Sequence, residues 1–171
     1  ISDKDLFMEA HAVLKKQSTP FFAVIQTADN HRPYTIPEED RPYVKMRSFP
    51  KDSLEKYGFW SNEEMNAYAY MDYTYRVFME AAAKEKYFAN TLFVFVGDHG
   101  IRGNAGTMMP KVWTEQSLTL QHVPLLFYAP GILKPQVQEQ KVSQIDIMPS
   151  IAGILHRPVT NTTMGRNLFL Y

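Results

Sequence analysis

Between Thr91 and Val96 the chain runs Thr-Leu-Phe-Val-Phe-Val and then stops on Gly97-Asp98-His99-Gly100. A short run of β-branched and aromatic residues closed by glycine reads as a buried strand. In open α/β sheets, ligands gather outside the carboxyl ends of such strands. Asp98 offers a hard oxygen there and His99 a borderline nitrogen, a pairing that suits Mn²⁺, Mg²⁺ or Zn²⁺. The flanking glycines let the backbone turn sharply enough for both side chains to converge. The plainer alternative is an aspartate capping a turn beside a loop histidine bonded to nearby backbone.

The rest of the chain alternates in the same manner. Ser2 is placed to cap a helix carrying Leu6, Phe7, Ala10, Val13 and Leu14. Phe21 to Thr27 reads as a buried strand, and Ala28 to Pro50 as a long loop with four prolines. Ser61-Asn62-Glu63-Glu64 has the form of a capping box. The helix it opens is expected to run to about Lys86, with Tyr68, Met71, Tyr75, Phe78, Met79 and Ala82 on one face. After the Thr91–Val96 strand comes a second long loop, Gly100 to Thr119, and then a third strand, Val123 to Tyr128. Asp146 is expected to cap a short helix with Pro149 in its first turn, and Gly165 to Leu170 to form an edge strand. Strand, crossover, helix, strand is the βαβ alternation of a parallel sheet. The fold expected is therefore α/β: a mostly parallel sheet with helices on both faces, here incomplete, residues 1–171 forming one portion of one domain.

Composition excludes several function classes. The chain has 18 basic and 18 acidic residues, so its balance gives no electrostatic case for nucleic acid. It has no cysteine, which rules out a disulfide framework and a thiolate metal site. No apolar run approaches the length of a membrane span. The chain opens on Ile1-Ser2 without a methionine, and is expected to have been excised from a longer protein.

Four further blocks accompany the Asp-His element in a fixed order. Pro20 to Tyr34 (PFFAVIQTADNHRPY) precedes Asn90 to Gly100 (NTLFVFVGDHG). His122 to Gly131 (HVPLLFYAPG), Val142 to Leu155 (VSQIDIMPSIAGIL) and Gly165 to Phe169 (GRNLF) follow it. From about Asp3 to Phe169 the chain resembles the sulfatase branch of the alkaline phosphatase superfamily, and within it the lipoteichoic-acid-synthase-type phosphoglycerol transferases. The match is to the carboxy-terminal half of their catalytic domain.

The resemblance implies one divalent ion at Asp98 and His99, Mn²⁺ in the first place, with Mg²⁺, Zn²⁺ or Ca²⁺ as alternatives. It implies that His31, in Asn30-His31-Arg32-Pro33-Tyr34, lies against the substrate, an anionic small molecule or lipid headgroup. It implies a catalytic domain on the periplasmic or extracellular face of a membrane, anchored by upstream segments. Whether His122 or the 100–119 loop, with Arg102, Lys111 and Trp113, joins the site is left open. His11 and His156 have no motif around them and are read as surface or packing residues.

One part is expected to be missing. The resembling enzymes use a nucleophile, threonine in the transferases and a modified cysteine or serine in the sulfatases, and a further acidic metal ligand. No threonine here, Thr107 included, stands in such a context. The nucleophile is therefore expected upstream, and the chain alone to hold metal weakly and turn nothing over. A true sulfatase and a non-catalytic binding module are the competing readings.

Overall fold

The structure, a computed structural model, describes residues 1–104, 106 and 108–170; Thr107 lies outside them. It forms two units, residues 1–133 and 134–171.

In the first unit, helix α1 (Asp3–Leu14) starts where expected: the Ser2 hydroxyl accepts a hydrogen bond from the Asp5 amide, 3.1 Å. It lies against the long helix α3 (Asn62–Ala82). Phe7 and Leu14 meet Phe78 in the core, with Phe7 and Phe78 stacked at 4.8 Å, and Ile25, Tyr75, Met79, Tyr87 and Phe93 close around them. Each large apolar side chain buried here contributes about 1.5–3 kcal/mol. A second cluster joins Ile36, Val44 and Tyr70. The buried stripe of α3 differs from the one expected. Ala67, Tyr70, Thr74, Phe78 and Ala82 face inward, whereas Tyr68 and Met71 are half-buried. Ala67 and Thr74 are fully buried, and the Tyr70 hydroxyl donates to buried Asp40, 2.8 Å, so a polar tyrosine can be enclosed. The helix stops at Ala82, a turn earlier than expected.

The loop expected from 28 to 50 has a scaffold of its own. A 3₁₀ turn occupies Arg41–Tyr43, and helix α2 (Lys51–Lys56) follows. Between them the chain is extended and tied to α3 by two asparagine side chains. Asn66 accepts from the Arg47 amide (2.9 Å) and donates to its carbonyl (2.8 Å). Asn62 does the same for Phe49, at 2.8 and 3.1 Å. Each carboxamide thus stands in for one residue of a neighbouring strand.

Two of the four expected strands form among the described residues. Strands β1 (Phe93–Val96) and β2 (Leu125–Tyr128) pair, Phe93 opposite Tyr128 and Val96 opposite Leu125, and the pairing is antiparallel, not parallel. The reason lies in the connection. It carries two single-turn helices, α4 (Val112–Glu115) and α5 (Leu118–Gln121), and folds back at the end of the sheet where it left. Gly97 N donates to Pro124 O (3.4 Å), which continues the antiparallel register, and Gly100 N donates to Leu120 O of α5 (2.8 Å), which ties the returning loop to the strand end. A parallel neighbour would need a crossover to the far end.

The segment Phe21–Thr27 is the main correction. It is extended but joins no ladder, and it is not buried: Phe22 is 75% and Val24 80% exposed. Ile25, on the Phe7 core, and Phe21, edge-on to Tyr87 at 5.9 Å, hold it. A strand exists only against another edge, and the sheet among the described residues has two strands.

In the second unit, helix α6 (Ile147–Ile154) begins after Asp146, but that carboxylate does not cap it. It accepts instead from Ser143 N and Arg166 N, each at 2.8 Å. These bonds hold the Asp146 carboxyl below the ordinary aspartate range. Fully buried Ser150 donates to Asp146 O (2.6 Å) and accepts from Leu168 N (2.9 Å). Side chains thereby satisfy the backbone of Gly165–Leu170, which forms no strand.

Candidate active site

Asp98 and His99 leave the end of β1 as the sequence suggests. The Asp98 carboxylate accepts from the His99 amide (2.9 Å), and His99 Nδ1 lies 2.7 Å from Gly100 O. A ring nitrogen against a carbonyl carries the proton, so Nε2 keeps its lone pair for a cation. Nε2 is 3.7 Å from the second Asp98 oxygen. An ion about 2.1 Å from each ligand atom fits between them. Both side chains are open to solvent, 62% for His99 and 77% for Asp98. Among the described residues no three His, Asp or Glu side chains are grouped to hold an ion.

The closeness of the returning loop explains Gly100. A methyl group there would stand 2.0 Å from Thr119 O and 3.3 Å from His122 O. The backbone of His122 therefore lies beside the Asp-His turn. Its exposed ring meets Trp113 edge-on, centroids 5.0 Å apart. Arg102 and Lys111 are exposed on the same connection.

His31 sits on a separate turn, closed by His31 N to Ala28 O (2.9 Å) and Tyr34 N to His31 O (3.0 Å). Its ring repeats the arrangement of His99: Nδ1 is 3.0 Å from the carbonyl of the next residue, Arg32, which leaves Nε2 available. Both ends of the turn are anchored. On the entry side, buried Asp3 accepts from Ala28 N (2.8 Å) and Asp29 N (2.9 Å), while Asp29 accepts from Asp3 N (2.6 Å). Burial, with Asp3 adding repulsion, pushes the Asp29 carboxyl above its ordinary range. On the exit side, Tyr34 adopts φ 62°, a left-handed conformation that costs a non-glycine residue on the order of 1 kcal/mol or more. Its hydroxyl donates to Glu64, 3.1 Å.

Sequence reasoning did not single out Glu64 as part of the site. It is 2% exposed. As the third helical residue after Ser61 it was expected to complete a capping box. Ser61 does accept from Glu64 N (3.2 Å), but the carboxylate points away from its own cap, to Tyr34 and to Trp60 N at 2.6 Å. Burial and this charge push the half-buried Tyr68 phenol up. His11 is buried between Tyr87 (3.2 Å) and Glu85 (3.5 Å), and His156 is exposed at φ 50°.

A protein-family model described as Sulfatase matches residues 1–156. The chain is 26% identical over 164 residues to the lipoteichoic acid synthase-like YvgJ of Bacillus subtilis, covering 91% of this chain and 25% of that protein. It is 24% identical over 170 residues to a lipoteichoic acid synthase of Staphylococcus saprophyticus, covering 96% and 25%. The chain thus spans about a quarter of the length of these curated relatives. Its fold matches that of the lipoteichoic acid synthase LtaP from Listeria monocytogenes, with a TM-score of 0.75, 20% identity, and coverage of 97% of this chain and 42% of that one. A protein in the alkaline phosphatase superfamily from Vibrio parahaemolyticus matches with a TM-score of 0.72, 24% identity, and coverage of 100% and 38%.

Proposed function

The chain belongs to the sulfatase family, and from that premise we propose that it carries the metal- and substrate-binding part of a phosphoglycerol transferase. The observation that carries this reading is the Asp98–His99 geometry: two ligand atoms 3.7 Å apart at a strand end, with the imidazole tautomer fixed by Gly100 O. The names of the relatives favour transfer over sulfate hydrolysis.

A divalent ion, Mn²⁺ in the first place, would be held by Asp98, His99 and ligands from outside this chain. It would supply Lewis-acid polarisation of a phosphoryl oxygen. His31, held at Nδ1, offers Nε2 to the substrate. Protonated, it donates to a phosphoryl or leaving-group oxygen; neutral, it accepts a proton. A nucleophilic hydroxyl contributed from outside the chain attacks the phosphorus of a glycerophosphate lipid. The P–O bond to the leaving alcohol breaks, and that oxygen takes the proton. A second hydroxyl then attacks the same phosphorus; the P–O bond to the first nucleophile breaks, and that oxygen takes the proton the acceptor gives up. Such an enzyme would work at the outer face of a membrane, with its anchor elsewhere in the protein; among the described residues no helix is long and apolar enough to cross one. On this reading the isolated chain, to which only Asp98 and His99 are assigned as ligands among the described residues, would bind metal weakly and be inactive.

The test is Mn²⁺ titration and turnover of the intact protein on a fluorescent glycerophosphate lipid and on an aryl sulfate. Saturable Mn²⁺ binding lost in Asp98→Asn and His99→Ala, with turnover of the lipid alone, is the expected result. Turnover of the sulfate ester alone would move the assignment to a sulfatase. No saturable binding would leave a binding module.

A further inference from the structure

We infer that Glu64 is a positioning residue that sets His31 and the loop after Asp98-His99 in one frame; this rests on the role proposed for His31. The two oxygens of its buried carboxylate go to different parts of the chain. Oε1 takes the Tyr34 hydroxyl, three residues beyond His31, and Oε2 takes the Trp60 amide. The Trp60 side leads on to the metal loop. The turn before Trp60 packs backbone to backbone against Gly103, Asn104 and Gly106. A methyl group on Gly103 would meet Gly58 O at 3.3 Å, one on Gly58 would meet Asn104 O at 3.3 Å, and one on Gly106 would meet Lys56 O at 2.5 Å. One carboxylate therefore stands between the turn that carries His31 and the loop that leaves Asp98-His99.

Three features argue for positioning and against a cap. The sequence places Glu64 where it would bond the Ser61 amide, yet its carboxylate takes the distant Tyr34 hydroxyl and, locally, the Trp60 amide four residues back. Its phenol partner sits on a residue at φ 62°, a conformation that persists only where the surroundings hold it. The other end of the same turn is clasped by the Asp3–Asp29 pair, and the Tyr34–Glu64 bond adds a polar tie at the exit end, just before buried Ile36. A turn held at both ends keeps the imidazole where it must act, and a displacement of about 1 Å at such a group costs up to about a hundredfold in rate.

The experiment measures kcat, KM and Mn²⁺ binding in the intact protein on a fluorescent glycerophosphate lipid. Tyr34→Phe removes only the hydroxyl and is expected to lower kcat roughly tenfold, with KM and Mn²⁺ affinity unchanged. Glu64→Ala is expected to lower kcat further. Glu64→Gln should rescue it to within about threefold, because the Gln carbonyl can accept from Trp60 N while its amide donates to the Tyr34 oxygen. The decisive readout is epistasis: in a His31→Ala background, Tyr34→Phe should have no further effect on kcat. If His31→Ala lowers kcat but Tyr34→Phe does not, or if Tyr34→Phe costs as much with His31 absent as present, Glu64 is only structural and the inference falls. If His31→Ala itself leaves kcat unchanged, the reading of His31 fails first and this inference with it. Should Glu64→Ala fail to fold, the Tyr34→Phe cycle still decides.

Discussion

Replacing Gly100 with alanine tests how closely the returning loop is fitted to the Asp98-His99 turn. Gly100 does not adopt positive φ, so the penalty is one of space. The new methyl carbon would stand 2.0 Å from Thr119 O, where ordinary contact begins at 3.4 Å, so about 1.4 Å must open. The obstructing atoms are backbone and cannot rotate away. The loop can retreat only by stretching the Gly100 N to Leu120 O bond of 2.8 Å. Overpacking of this kind costs about 1–3 kcal/mol, and the lost hydrogen bond about 1 kcal/mol. The total, about 2–4 kcal/mol, should appear in urea unfolding of the intact protein. Because Gly100 O also fixes the His99 ring at 2.7 Å, Mn²⁺ affinity measured by calorimetry should fall at least about tenfold. Gly103→Ala is the control: its methyl meets only Gly58 O, at 3.3 Å, and should cost under about 1 kcal/mol. A Gly100→Ala protein with unaltered stability and metal affinity would refute the packing argument.

Three further outcomes are expected. Tyr70→Phe removes a buried donor to Asp40, which then keeps Lys4 as its side-chain partner; urea unfolding should show a loss of about 1.5–3 kcal/mol. Ser150→Ala should cost about 1–3 kcal/mol by the same measurement, because a fully buried hydroxyl that both donates and accepts is lost. Asp146 has a depressed folded pKa, so its contribution is present above the ordinary value of 3.8 and is lost as pH falls through the lower folded value. Acid unfolding of the 134–171 unit should show this loss, and Asp146→Asn should abolish it.

What was legible in the sequence was local. Ser2 and Ser61 cap the helices they were expected to cap, and the Asp98-His99 turn leaves a strand as its pattern required. Pattern failed where a residue's partner lies far along the chain. Glu64 has the spacing of a capping box, and nothing local indicates that Tyr34 competes for it. Asn62 and Asn66 look like helix surface until the extended 44–50 segment lies against them. Phe21–Thr27 has every local property of a buried strand, but burial is supplied by a neighbour, and local composition cannot name one. The antiparallel pairing of β1 and β2 was missed because the expectation of a mostly parallel sheet came from the strand, crossover and helix before β1; the 28-residue connection after it was read only as a long loop, and it doubles back beside Gly100.

The two asparagine rungs on α3 work like a vernier. Residues four apart on a helix are spaced about 6.0 Å along its axis, while residues two apart on a strand are spaced about 6.7 Å. One step is absorbed by the flexibility of the carboxamides. A second step would bring the accumulated error to about 1.4 Å, beyond what a hydrogen bond tolerates. The third rung would have paired position 70 with Lys45, and there the sequence has no amide: Tyr70 turns inward to Asp40 instead. A helix can therefore impersonate the edge of a sheet for two rungs and no more, and that limit sets how much of the 44–50 segment α3 can hold straight.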